Sequence, residues 1–184
     1  MSPRIAQEKQ QTLRSQRQNR SHVRCPGALI AEGQKVLIFS QFVGMLEILQ
    51  HHLNEQKIPL YYLDGSTENR GCLVQDFQKH EGSAVFLISL KAGGAGLNLT
   101  AASYVILFDP WWNPAVEAQA IDRTHRIGQE RTVIAYRLIA KDTIEEKIRH
   151  LQKEKAQLFQ DVLGEENFAK ALSLDDFHYL LTEK

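Results

Sequence analysis

Five short apolar runs, separated by stretches with helical spacing, predict an α/β domain: a mostly parallel sheet flanked by helices on both faces. The runs are continuously apolar, as in strands buried on both sides, where a half-exposed strand would alternate. The segments between them are long enough for crossover helices. With 184 residues and 43% hydrophobic content, the chain fits one domain of ordinary size with a real core and an appended tail.

Residues 1–27 stand apart. They are rich in Gln, Arg and Ser, and Ile5, Leu13 and Val23 are too few apolar positions to drive folding, so we expect a basic linker or a displaced remnant. Arg14, Arg17, Arg20 and Arg24 could touch DNA phosphates, but composition favours a solvated basic tail. Ser21-His-Val-Arg-Cys-Pro-Gly27 closes the stretch with a turn.

Residues 28–141 hold the alternating pattern. Lys35-Val-Leu-Ile-Phe-Ser40 is the first strand, and Val43, Leu46, Leu49 and Leu53 then recur at helical spacing until Pro59 forbids continuation. Leu60-Tyr-Tyr-Leu63 is the second strand, followed by Asp64-Gly-Ser-Thr67, in which Ser66 or Thr67 can cap a helix that buries Leu73, Val74 and Phe77. Ala84-Val-Phe-Leu-Ile-Ser-Leu90, Ser103-Tyr-Val-Ile-Leu-Phe108 and Thr132-Val-Ile-Ala-Tyr-Arg-Leu-Ile139 supply the remaining strands. Residues 142–184 read as a helical extension: Asp142-Thr-Ile-Glu145 resembles a capping box, Ile144, Ile148, Leu151, Leu158 and Val162 form a stripe ending at Gly164, and Ser173-Leu-Asp-Asp176 opens a last helix through Leu181.

The 22 basic and 22 acidic residues balance, but six of the basic ones fall in the first 24 residues against Glu8 alone, leaving the rest net acidic. Overall charge therefore says nothing about nucleic acid. Cys25 and Cys72 have no metal-like spacing and form no disulfide framework, which makes a reducing, intracellular setting the default and a zinc site unexpected. No apolar run reaches membrane-span length, and the polar start is no signal peptide, so a soluble protein without a membrane partner is expected.

Two stretches carry chemistry. In Asp109-Pro-Trp-Trp-Asn-Pro114, the prolines bracket a rigid turn, Asn113 is a good N-cap, and Pro114 takes the first helical position. On a helix running to about Arg126, Gln119, Asp122, Arg123 and Arg126 fall at i, i+3, i+4 and i+7 and share one face. Two guanidiniums there suit a polyoxygen anion such as phosphate, although a solvated charged face has the same spacing. The adjacent Trp111 and Trp112 are costly to leave in water, and a purely structural account would bury one. The second stretch, Lys91-Ala-Gly-Gly-Ala-Gly-Leu-Asn-Leu-Thr100, follows a strand at its carboxyl end, where open α/β sheets bind ligands. Gly93, Gly94 and Gly96 let backbone amides approach a phosphate or serve a tight turn, and neither the dinucleotide nor the phosphate-loop pattern is met.

Gln119-Ala-Ile-Asp-Arg-Thr-His-Arg-Ile-Gly-Gln129, preceded by Asp109-Pro-Trp-Trp-Asn-Pro114, resembles the last helicase motif of the Swi/Snf family of DNA-stimulated ATPases. Ser89-Leu-Lys-Ala-Gly-Gly-Ala-Gly-Leu-Asn-Leu99 is similar to the family's Gly-rich motif, Lys35-Val-Leu-Ile-Phe-Ser-Gln-Phe42 to the motif opening its second lobe, and Leu63-Asp-Gly-Ser-Thr67 to the next one. The likeness runs from about Gly27 to the C-terminus, with the four motifs in the family's order. It implies that residues 28–141 are a RecA-like helicase C-terminal lobe and that residues 142–184 pack on it.

The resemblance also implies roles. Arg123 and Arg126 match the arginines that reach across a cleft to nucleotide held by a first lobe; Gly96, Asn98 and Gln119 fall on the nucleotide side. Ser40, Gln41, Ser66, Thr67, Ser89 and Lys91 match DNA-backbone contacts, and Trp112 matches a tryptophan wedged against the DNA groove. Partners would be double-stranded DNA, an N-terminal RecA-like lobe and DNA-bound protein complexes, in a bacterial nucleoid or a eukaryotic nucleus. ATP and Mg2+ would be bound mainly by the first lobe, because neither a Walker A sequence nor an Asp-Glu magnesium motif occurs in this chain. The expectation is half of an active site, inactive alone. The alternative is a stand-alone module that binds DNA or protein.

Overall fold

A computed structural model of the chain describes residues 26–92, 97–109, 111, 114–122, 132–154 and 173–182. The elements in order are α1 (Pro26–Ala31), β1 (Lys35–Ser40), α2 (Val43–Glu55), β2 (Leu60–Leu63), α3 (Arg70–Lys79), β3 (Ala84–Ser89), β4 (Tyr104–Leu107), α4 (Pro114–Asp122), β5 (Ile134–Arg137), α5 (Ile144–Glu154) and α6 (Leu174–Leu181). All five predicted strands form. Their order in the sheet is β2-β3-β1-β4-β5, and every pairing is parallel.

Parallel pairing puts all five carboxyl ends on one edge. The chain fills one side of β1 first, with β2 and β3, then crosses to β4 and β5, so β1 marks the point where the winding reverses. Ligands of open α/β sheets bind at such a point. The register aligns Ser40 with Ser89 at the end of β1 and β3, and Leu63 with Ile88 at the end of β2 and β3.

Side chains alternate across the strands and build a core on each face. On one face, Val36, Ile38, Val85, Leu87 and Ile106 pack with Leu29 of α1 and with Leu46 and Leu53 of α2. On the other, Leu37, Phe39, Phe86, Ile88, Val105 and Leu107 pack with Val74 and Phe77 of α3 and Ala120 of α4. Helices thus cover both faces, as the alternating sequence predicts. Phe77 meets Tyr61 edge-on at 5.4 Å and Phe86 at 5.0 Å between ring centroids. Lys35 fastens the C-terminal end of α3 to the start of β1, its Nζ donating to the Phe77 carbonyl at 2.8 Å and the Gln78 carbonyl at 3.0 Å.

Several local expectations are corrected. The turn expected to end at Gly27 instead runs into α1, with Pro26 at the first helical position and Leu29 fully buried; Gly33, at φ 76°, then reverses the chain into β1. Of the α2 stripe, Leu46 and Leu53 are buried and Leu49 is half-buried, but Val43 in the first turn is exposed, since it lies beyond the end of the sheet. Neither Ser66 nor Thr67 caps α3, which starts at Arg70 behind Asn69 in the left-handed region (φ 52°); both hydroxyls are engaged by Asp64. The expected 132–139 strand shortens to Ile134–Arg137 at the sheet's edge, where all four residues are half-buried. The cap of α5 shifts by one residue: Thr143 Oγ1 accepts the Glu145 amide at 3.3 Å, while Asp142 donates its own amide to Glu146. The capping box of α6 forms as predicted, between Ser173 and Asp176. Ile148 and Leu151 of α5 meet Leu180 of α6, a small satellite core. Leu158, Val162 and Gly164 lie outside the described residues, as does residues 1–25.

Phe77 is fully buried between two aromatic rings, so Phe77→Ala should cost about 3–5 kcal/mol through lost transfer energy and a residual cavity. Urea unfolding checks this; a loss below about 1 kcal/mol would mean that the α3 face of the core is not packed as described.

Candidate nucleic-acid interface

At the carboxyl edge, the end of β1 is tied to the chain leaving β4 by a single carboxyl group. Ser40 Oγ donates to Asp109 Oδ2 at 2.6 Å, and the Gln41 amide donates to Asp109 Oδ1 at 2.9 Å. Ser40 Oγ in turn accepts the Phe42 amide at 3.0 Å. Ser40 and Asp109 are both buried, whereas Gln41 is partly exposed. The Ser40 hydroxyl, expected at the DNA backbone, is fully enclosed and bonded to Asp109, which shapes the turn into Gln41. Ser89, its register partner, is likewise buried and offers no surface side chain.

The loop after β2 is organised by Asp64. Its Oδ1 accepts the Ser66 hydroxyl at 2.7 Å, the Ser66 amide at 2.9 Å and the Thr67 hydroxyl at 3.1 Å, and its amide donates to Thr67 Oγ1 at 2.9 Å. Ser66 is left exposed and Thr67 half-exposed at the edge. The Ser66 hydroxyl is the largest influence holding the Asp64 carboxyl below its ordinary value of 3.8; burial opposes it, and the Ser66 amide and the Thr67 hydroxyl and amide add to the lowering. Arg70, the first residue of α3, lays its guanidinium on backbone carbonyls of this same loop and on that of Ala92.

Beyond β3, Lys91 is exposed, with its Nζ 6.0 Å from the centre of the Trp111 ring. Trp111 is taken into the core. Its amide donates to Glu117 Oε1 at 2.7 Å, and its carbonyl accepts Gln152 Nε2 at 2.8 Å, which joins α4 and α5 to the edge. Glu117 is wholly buried and ion-paired with Arg137 of β5. Burial first, and then the nearby Arg137, lowers the pKa of the Arg149 guanidinium on α5.

The nucleotide-side candidates are placed elsewhere. Asn98 is exposed between buried Leu97 and Leu99, which belong to the α3/α4 core. Its carbonyl accepts Gln78 Nε2 at 2.8 Å, and Gln78 also receives the Ala101 amide at 2.8 Å. Because Gln78 sits at the end of α3 that Lys35 clamps, Asn98 lies toward the amino ends of the strands, away from Gln41 and Lys91. Gln119 and Asp122 are exposed on α4, which packs on the same face through Ala120. Arg123, Arg126, Gly93, Gly94, Gly96, Trp112 and Asn113 lie outside the described residues. Among the described residues, no three His, Cys, Asp or Glu side chains gather as a metal-binding group, and no helix is long and apolar enough to cross a membrane.

Sequence reasoning assigned no role to Asp109, Glu117, Gln78 or Arg70. Two of these left a signal. Glu117 is a charge three residues before Ala120, on the buried face of its helix, and Arg70 is a cation at a helix N-terminus, where the dipole disfavours it.

The five-stranded parallel sheet, with helices on both faces, is that of a RecA-like lobe. Residues 16–128 match the helicase conserved C-terminal domain, and the chain belongs to that family, in its Swi/Snf branch. An uncharacterized ATP-dependent helicase of Mycoplasma genitalium is 47% identical over 146 residues, covering 78% of this chain and 14% of that protein. The human chromatin-remodeling ATPase INO80 is 45% identical over 142 residues, covering 76% of this chain and 9% of that protein. Among solved structures, the C-terminal part of the Fun30 ATPase domain superposes with a TM-score of 0.65 at 41% identity, over 77% of this chain and 46% of that one. The SWI2/SNF2 ATPase core domain of Sulfolobus solfataricus gives 0.66 at 35% identity, over 86% and 33%. The chain thus spans a small part of the length of the curated relatives it matches.

The Asp64 carboxyl, being lowered, stabilises the loop fully above the ordinary carboxylate range and loses that contribution as pH falls through the depressed value. An NMR titration should place its midpoint below 3.8, and Ser66→Ala should raise it. A midpoint unmoved by that substitution would remove the Ser66 hydroxyl as the cause.

Proposed function

We propose that this chain is the second motor lobe of a Swi/Snf-type, DNA-stimulated ATPase that translocates on double-stranded DNA or remodels protein–DNA complexes. The observation that carries the reading is the separation of two surfaces: Gln41, Ser66, Thr67 and Lys91 at the carboxyl edge, and Asn98 and Gln119 on the α3/α4 face. Of these edge groups, the exposed Lys91 ammonium can donate to phosphate oxygens, beside the Ser66 and Thr67 hydroxyls that Asp64 orients; such contacts read no bases, as a motor that tracks a backbone requires. Trp112, which directly follows the buried Trp111, is assigned to the DNA groove.

The face bearing Gln119 is assigned to the cleft. Arg123 and Arg126 follow Gln119 at helical spacing and supply the charge that stabilises the transferring phosphoryl group, with Gly96 and Asn98 beside the nucleotide. ATP and Mg2+ are held mainly by the first lobe; within these 184 residues no phosphate-loop sequence occurs. Closure of the two lobes on ATP and reopening after hydrolysis would shift the carboxyl edge along one DNA strand. The relatives described as an ATP-dependent helicase and a remodeling ATPase support use of ATP by the whole protein.

In the full-length protein, Arg126→Ala should lower DNA-stimulated ATP hydrolysis by about a thousandfold or more while leaving DNA affinity close to wild type. Unchanged turnover would take Arg126 out of the mechanism. Absence of DNA-stimulated hydrolysis in the unmutated full-length protein would favour a binding module instead.

A further inference from the structure

The geometry points to Arg70 as a positioning residue that locks the Asp64–Thr67 loop to the segment after β3, so that Ser66, Thr67 and Lys91 move as one unit. The guanidinium reaches four carbonyls: Nε donates to Thr67 at 3.1 Å, Nη2 to Gly65 at 3.1 Å and Asp64 at 3.3 Å, and Nη1 to Ala92 at 3.4 Å. Three of these lie in the loop after β2, and the fourth is the neighbour of Lys91.

The sheet cannot make this connection. The β2–β3 ladder has its last aligned pair at Leu63 and Ile88, and Asp64, Ser66 and Thr67 close their loop upon themselves through the Asp64 carboxyl. Among the described residues, the side chain that spans the gap between the two segments is that of Arg70. Its location follows from charge. A cation at the first position of a helix opposes the dipole, and no acidic residue occupies the first turn of α3. The side chain turns back to the loop carbonyls, where its charge is favourable. A planar fork with donors on three nitrogens suits this task; a lysine ammonium, a single compact donor centre, cannot serve both segments with the same geometry.

The functional consequence rests on the motor reading above: if two loops grip one strand of DNA, their fixed separation sets where each grips, and a loose joint between them lets one slip while the other holds. Arg70 then governs how much movement each ATP yields, and contributes little to the strength of the grip.

The test uses the full-length protein with Arg70→Lys and Arg70→Gln. Hydrogen exchange should show the amides of residues 64–67 opening about tenfold faster in both variants, with the β1 and β3 amides unchanged. DNA-stimulated hydrolysis should persist, while the distance translocated per ATP falls several-fold, a split that general loss of folding would not produce. Wild-type loop exchange in both variants overturns the proposal, as does wild-type coupling of translocation to hydrolysis, and so does failure of both variants to fold, which would make Arg70 a folding element. If unmutated protein shows no DNA-stimulated hydrolysis, the motor reading fails alone, and the exchange experiment still decides whether Arg70 joins the two segments.

Discussion

Asp109 sits below the protein surface at the centre of the sheet's carboxyl edge, and both of its side-chain oxygens accept hydrogen bonds from the end of β1. A polar group in that position is costly unless satisfied, so the Ser40 hydroxyl and the Gln41 amide are held where Asp109 needs them. Everything at the edge inherits this constraint. The Gln41 amide is turned onto Asp109, and the chain two residues beyond Asp109 enters the core as Trp111. The Trp111 amide is then fixed by the buried Glu117, and Glu117 by Arg137, so α4 is anchored to the sheet through polar contacts as well as through Ala120.

The same economy of means recurs at both ends of the sheet. Asp64 gathers Ser66 and Thr67, Lys35 clamps α3, and Gln78 holds the segment through Asn98 and Ala101. Each is a single polar side chain that makes several bonds: Asp64 to two hydroxyls and an amide of its loop, Lys35 to the last carbonyls of α3, and Gln78 to the backbone of residues 98 and 101. The loops of the lobe are thereby held in place. On the motor reading proposed above this stiffness matters, because force applied to a compliant loop deforms the loop before it moves a bound strand.

Most of the architecture was legible in the sequence, because buried parallel strands are continuous apolar runs and the crossover helices carry clean spacing. Lys35-Val-Leu-Ile-Phe-Ser40 and Leu60-Tyr-Tyr-Leu63 coincide with β1 and β2. Tertiary hydrogen bonds were less legible. Ser66 and Thr67 have the chemistry of helix caps, but Asp64 lies two and three residues upstream and competes for both hydroxyls. Ser40 matches a surface contact by motif, yet the depth of Asp109, 69 residues away in the chain, decides which way its hydroxyl points. No local pattern encodes a partner at that separation. Of the candidate site, the positions of Gln41, Ser66, Thr67 and Lys91 at one edge follow from parallel topology alone, since residues just past parallel strands must share an edge.

On the proposed function, the carboxyl edge grips the DNA backbone through charge and hydrogen bonds rather than through bases. The salt dependence of duplex binding by full-length Lys91→Ala measures this most directly. Loss of one phosphate contact should reduce the slope of log affinity against log salt by about 1, equally for unrelated DNA sequences. A slope identical to that of the unmutated protein, with unchanged affinity, would place the DNA on some other surface of the lobe.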